Sequence, residues 1–186
     1  EYLAQINFKP KRKTTVYLRY RLESKNRING DLELGEENIL ASRHNLRLNI
    51  SHSPHKSWKF KTRIESTRYE YSDTTTGLLF YQDIVYKPMM SKFSFVARYA
   101  LYDTEGWDTR IYAYENETLY TFLIPPLYNK GNRFYILATY KPVHGLMMQF
   151  KYGQSVFENR TEIGSGNNTI FGNRFSTVKF LIKYSF

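Results

Sequence analysis

The stretch that most constrains the fold is 175–186, F-S-T-V-K-F-L-I-K-Y-S-F. Counting back from Phe186, the apolar residues Tyr184, Ile182, Phe180 and Val178 occupy every second position. Ser185, Lys183, Leu181, Lys179 and Thr177 stand between them. A period of two is the period of a β-strand, whose successive side chains point to opposite faces. One face of this strand is wholly apolar and the other carries two lysines. A half-buried strand of a soluble antiparallel sheet alternates too, so the rest of the chain has to decide its surroundings.

The same pattern recurs along the chain. Tyr2, Ala4, Ile6 and Phe8 alternate until Pro10, which removes a ladder donor and ends the strand. Val16, Leu18, Tyr20 and Leu22 oppose Arg19 and Arg21, and Leu46, Leu48 and Ile50 oppose Arg47. Trp58, Phe60 and Ile64 stand against Lys61 and Arg63, and Phe93 to Leu101 against Arg98. Ile136 and Ala138 oppose Arg133, and Phe150 and Tyr152 oppose Lys151. The stretch 78–86 is weakly patterned and its faces are not assigned. Segments 110–114 and 118–124 read as two further strands joined by a polar turn, Glu115-Asn116-Glu117. That makes about eleven strands. Tight turns hold Pro10, Pro54, Pro88 and Pro142, with Glu115-Asn116-Glu117 as a fifth, and longer connections lie between them.

Composition narrows the class. The chain has 186 residues, enough for a single domain spanning 1–186. Aromatic residues make up 17%, with 17 Tyr and 13 Phe, more than a soluble domain commonly carries. Cysteine is absent, which excludes a disulfide scaffold and a Cys-ligated metal. Mean hydropathy is negative and no run nears the ~18 apolar residues of a membrane helix. Alternating membrane strands escape such a search, because half their residues are polar. The net charge of +10 raises a nucleic-acid reading. The cations are spread singly on alternate positions, however, and the one tract, 9–13, is short and lies in a turn, so no nucleic-acid partner is expected.

An alternating final strand that ends on phenylalanine resembles the closing strand of Gram-negative outer-membrane β-barrels. On that resemblance Val178, Phe180, Ile182, Tyr184 and Phe186 form an assembly signal read by the outer-membrane assembly machinery. The expected fold is all-β: an antiparallel up-and-down transmembrane β-barrel in the cell outer membrane. Short turns on one side and long loops on the other suit that arrangement. Val16, Leu18, Leu48, Ile136, Phe150, Phe180 and Ile182 are expected to face lipid. Arg19, Arg21, Arg47, Lys61, Arg63, Arg98, Arg133, Lys151, Lys179 and Lys183 are expected to face the lumen. With an odd strand count, the first and last strands run the same way, and up-and-down barrels avoid parallel closure. The expectation is therefore a C-terminal part of a barrel of about twelve or more strands, with Tyr2–Phe8 not paired to the closing strand. The stretch from Tyr112-Ala113-Tyr114-Glu115-Asn116-Glu117 through Pro125, Gly131 and Arg133-Phe134-Tyr135 is similar to part of a group of outer-membrane barrels that carry a helix-hairpin-helix module upstream. That module is not in these residues, and no DNA link is carried over.

Catalytic chemistry is sparse. His52, His55 and His144 lie in or beside turns, and His44 begins a strand, where it reads as a solvated rim residue. Asp31, Glu33, Glu36 and Glu37 lack the spacing of a calcium loop. Gly164-Ser165-Gly166 is no phosphate loop, since neither a lysine nor a helix follows. The sequons at Asn116 and Asn159 are read as chance. The chain is expected to be no enzyme and to hold no cofactor or metal. The leading function is a transport or translocation pore, or a barrel subunit of an outer-membrane complex, with a cationic lumen and possible partners among other outer-membrane subunits. The alternatives are a scaffold barrel plugged by an upstream domain, its basic residues paired to acidic plug residues, and a soluble β-sandwich or adhesin domain.

Overall fold

The computed structural model describes residues 1–29, 37–164 and 166–186. The strands are β1 (Tyr2–Lys11), β2 (Thr14–Asn29), β3 (Glu37–His55), β4 (Trp58–Glu70), β5 (Thr74–Tyr86), β6 (Phe93–Thr104), β7 (Ile111–Tyr112), β8 (Pro126–Leu127), β9 (Lys130–Tyr140), β10 (Leu146–Phe157), β11 (Glu162–Ile163), β12 (Ile170–Phe171) and β13 (Arg174–Tyr184). Nine of them form one antiparallel sheet in the order β1-β2-β3-β4-β5-β6-β9-β10-β13. The protein is thus all-β, an up-and-down meander of nine wall strands. The sheet is not closed: β1 pairs with β2 and β13 with β10, and among the described residues no ladder joins β1 to β13. Both edge strands run toward the end that holds the tight turns.

That turn end is stitched by backbone bonds between successive connections. Ser53 N–H donates to Lys13 O (2.8 Å), Lys87 to Ser57 O (2.8 Å), Lys141 to Lys92 O (2.8 Å) and Ser185 to Gly145 O (2.9 Å). On one face there, Trp58, Tyr86 and Phe95 pack as an aromatic group, with ring centroids 4.6 to 6.0 Å apart.

Three sequence-based expectations change. The wall has nine strands, not eleven, because β6 and β9 pair directly from Phe93↔Tyr140 to Asp103↔Lys130. Glu115-Asn116-Glu117 is not a tight turn between wall strands, and 118–124 forms no strand of the wall. Residues 105–129 instead leave the loop end and fold back across one face of the sheet, their own pairing limited to β7 with β8 and a bridge Glu115↔Leu123. Asp31, Glu33 and Glu36 lie outside the described residues, as does Ser165. The connection 71–73 is tight as well, so short and long connections do not alternate strictly. The weakly patterned stretch becomes β5, paired to β4 and β6 over its length.

The register gives the sheet two unlike faces. Ile6, Leu18, Leu48, Ile64, Phe80 and Leu101 pair in one row across six strands. Ile136, Tyr152 and Val178 form another across the last three. This apolar face is the exposed one: Phe180 is 60% and Ile182 59% accessible. The charged face is the covered one, with Arg63, Glu65, Asp83, Arg98, Arg133 and Lys151 all buried.

Candidate functional site: an acidic strap across a basic wall

Segment 105–129, here called the strap, covers the charged face. Its first arm alternates: Ile111, Ala113 and Glu115 are buried against the wall while Tyr112 and Tyr114 are exposed. Ile111, Ala113 and Leu127 join Leu79, Tyr81, Ala100, Tyr102 and Phe157 in a buried apolar cluster. Burying a side chain of the size of Ile111 contributes about 1.5–3 kcal/mol. Gly77 admits the strap's root, since a Cβ there would lie 2.7 Å from Thr109 O.

The strap does not follow one wall strand. It crosses them, and successive strands hold it by cationic or polar side chains. Arg43 of β3 donates to Arg110 O. Arg63 of β4 donates to Tyr112 O at 3.1 Å, and Arg98 of β6 to Tyr114 O at 2.6 Å. The spacing of two residues follows from the extended backbone, whose alternate carbonyls point the same way. Further on, the Tyr135 hydroxyl of β9 accepts from Asn116 N (3.1 Å) and Nδ2 (3.0 Å), and Leu119 N donates to Gln149 Oε1 of β10 at 2.7 Å.

Two strap carboxylates complete the grip. Glu115 takes Arg133 in a two-pronged pair, Nε to Oε1 at 2.5 Å and Nη2 to Oε2 at 3.0 Å, and also accepts from Lys151 Nζ at 3.2 Å. Glu117 accepts from Lys151 and from Lys179 Nζ, the latter at 2.8 Å. Arg133 Nη1 donates to Ser155 Oγ at 2.8 Å. The wall supplies two carboxylates of its own. Asp83 takes Arg98 through Nε (2.5 Å) and Nη2 (2.7 Å). Glu65 takes Arg47 (2.8 and 3.1 Å) and Arg63. Charge-assisted pairs of this forked kind are the strong ones, and burial makes their partners interdependent. Two tyrosine rings lie between the cations: Arg98 sits 3.8 Å from the Tyr81 ring centre, and Lys151 Nζ 4.4 Å from that of Tyr135.

Outside the wall strands, Glu117 has a displaced acidity. Burial raises its pKa, but hydrogen bonds from Lys151 and Lys179 and their charges outweigh burial and hold the carboxyl below its ordinary value.

All ten basic residues singled out from the sequence share the strap's face. Arg47, Arg63, Arg98, Arg133, Lys151 and Lys179 are ion-paired there. Arg21 reaches Glu1 (2.8 Å) and Glu23 (3.3 Å), and Arg19 donates to Gln5 Oε1 at 2.7 Å. Lys183 lies 5.5 Å from the Tyr120 ring centre, and Lys61 pairs in register with Asp83. The seven apolar residues Val16, Leu18, Leu48, Ile136, Phe150, Phe180 and Ile182 lie on the opposite face, with Val178 and Tyr184; Phe186 follows β13 at the turn end.

Sequence reasoning missed the acids that partner this wall. Glu65 was legible by parity, since it stands with Lys61 and Arg63 on the cationic side of β4; Asp83 was not, because β5 carries no cation and its pattern assigns no faces. Glu115 and Glu117 were not, because their neighbours read as a solvated turn. Among the described residues no triad forms: His44 Nδ1 pairs with the Tyr20 hydroxyl (2.8 Å) and His52 Nδ1 with Thr14 Oγ1 (2.8 Å). No group of His, Cys, Asp and Glu suited to a metal occurs among the described residues. No known protein family, curated protein or solved structure matches the chain.

Proposed function

We propose that the nine-stranded sheet is part of the wall of an outer-membrane β-barrel that serves transport or translocation, alone or as a subunit of an outer-membrane complex, with the strap as a fixed constriction inside it. One observation carries this reading: the sheet is inverted relative to a soluble domain. Its apolar face is exposed along the wall, and from β4 onward most of its charged face is buried beneath the chain's own strap. Water would penalise a contiguous apolar face of this extent, and lipid favours it. The aromatic group at the turn end suits a membrane interface. Lipid is then the partner of the outer face, the assembly machinery that of β13, and further strands that of the two edges. Because β1 and β13 run the same way, an antiparallel closure takes an odd number of added strands, and hydrocarbon leaves no edge unpaired without a cost of several kcal/mol per group.

The ion pairs favour a second reading beside the first. A lumen lined by free cations would be an anion-selective pore, but over β4–β13 the strap and wall acids pair most of them. That supports the scaffold alternative, with the plug supplied by this segment and not by an upstream domain.

The test uses the full-length protein in lipid vesicles. A fluorophore at Leu48→Cys or Phe150→Cys is expected to be quenched by quenchers on acyl chains, and one at Arg19→Cys by aqueous iodide. Iodide quenching at all three, with none from lipid, would overturn the membrane reading. Steady single-channel conductance separates the open passage from the plugged scaffold, which does not conduct.

A further inference from the structure

The strap covers the wall unevenly, and beside its root it leaves a basic cavity. The cavity measures about 290 Å³ and is lined by Arg19, Arg21, Arg43 and Arg47 from the wall and Arg110 from the strap. Glu23 and Glu65 are the carboxylates that line it. A second cavity, about 120 Å³, shares Glu23, Arg43 and Arg110 with the first and adds Lys25, Arg27 and Asp108 toward the loop end, with Asp108 on Arg27 at 3.2 Å. Cations outnumber carboxylates in both.

Two buried donors in these cavities have no partner among the described residues: Arg43 Nε and the Tyr69 hydroxyl. Arg43 lines both cavities and Tyr69 the second. A buried donor left unmade costs about 1–3 kcal/mol, so such groups stand where an acceptor belongs. The neighbouring arginines are held in place. Arg110 donates to Tyr112 Oη (2.8 Å) and Trp107 O (2.6 Å) and stacks 4.4 Å from the Trp107 ring centre. Arg47 is fixed on Glu65. The guanidinium fork matches an oxyanion in plane and spacing, whereas a lone lysine presents a point charge.

We propose that this cavity is a binding site for a phosphate-bearing anionic solute. Arg43 and Arg110 supply the central contacts, and Arg27 and Lys25 draw the anion in from the loop end. Tyr69 Oη and Arg43 Nε acquire acceptors when it binds. The site rests on the cavity and its side chains, so it stands whether or not the outer face meets lipid.

Inorganic pyrophosphate serves as the probe, titrated calorimetrically into the folded full-length protein in detergent. Saturable binding that weakens as salt rises is expected. Arg110→Gln is the main variant, because the strap is held at residue 110 through its carbonyl, which the substitution keeps. It should lower affinity at least about tenfold, and Arg43→Gln likewise. Arg43→Lys, which keeps the charge and loses the fork, should fall between. Arg12→Gln at the turn end should bind as wild type, and near-ultraviolet circular dichroism checks that each variant is folded. Absence of saturable binding to the folded protein overturns the proposal. So does equal affinity in Arg110→Gln and Arg12→Gln.

Discussion

The charged face has two halves that the same residue types treat oppositely. From β4 to β13, cations meet acids from the wall and the strap, and Asp83 and Lys151 are 1% and 2% exposed. From β1 to β3, Arg19, Arg21 and Arg47 stay partly open, Arg21 pairs with the accessible Glu1 and the half-buried Glu23, among the described residues only Arg47 reaches a buried acid, Glu65, and a cavity remains. The sequence pattern is the same in both, arginine or lysine opposite a greasy face. What differs is whether the strap passes over it. A basic residue on a strand is therefore neither a lumen charge nor a structural charge by itself; the segment that crosses it decides.

That contrast breaks most sharply at the strap's own acid. Glu115→Ala leaves Arg133 and Lys151 buried around a missing partner, and should destabilise the fold by about 3–5 kcal/mol in denaturant titration. A cost under about 1 kcal/mol would mean that the strap half is as solvated as the other. The outer face, in turn, should not distinguish the halves. Leu18→Arg and Ile136→Arg are expected to cost about 2–4 kcal/mol each when the protein is folded into bilayers. Unequal costs would place the two halves in different surroundings on the outside as well.

A smaller effect comes from acid. The Glu117 carboxyl is held below its ordinary pKa in the fold, so its contribution is present above the unfolded value and is lost as pH falls through the folded one. Stability measured from about pH 7 to about pH 3 should fall more steeply for wild type than for Glu117→Gln. Equal slopes would remove Glu117 from the grip. The smallest change is expected in the open half. Glu23→Ala loses only partly exposed pairs with Arg21 and Lys25, and should cost less than about 1 kcal/mol.

The faces were legible because a strand's period of two leaves no freedom: once Phe180 is outward, Lys179 is inward. The strap was not, and the reason is visible at 111–115. The run I-Y-A-Y-E alternates as a wall strand does, but its burial comes from crossing the sheet and not from pairing within it. Periodicity reports that a chain is extended with two unlike sides; it does not report which neighbour lies on each side. The cavity was illegible for a related reason. Arg43 and Tyr69 sit in adjacent strands, but the cavity they line is completed by Arg110, brought from the strap.

Because the strap is fastened to one side chain after another across the wall, it also audits the wall. A slip of one residue in β4, β6 or β10 would carry Arg63, Arg98 or Lys151 to the apolar face. A slip of two keeps the face but moves the charge roughly 6.6 Å along the strand, out of hydrogen-bond range. In either case a strap carbonyl or carboxylate is stranded without its cation. The outer face offers no such check, since one aliphatic residue packs beside another in almost any alignment. The strap's carbonyls and carboxylates are thus all satisfied only when strands far apart in the chain are in the right alignment at once.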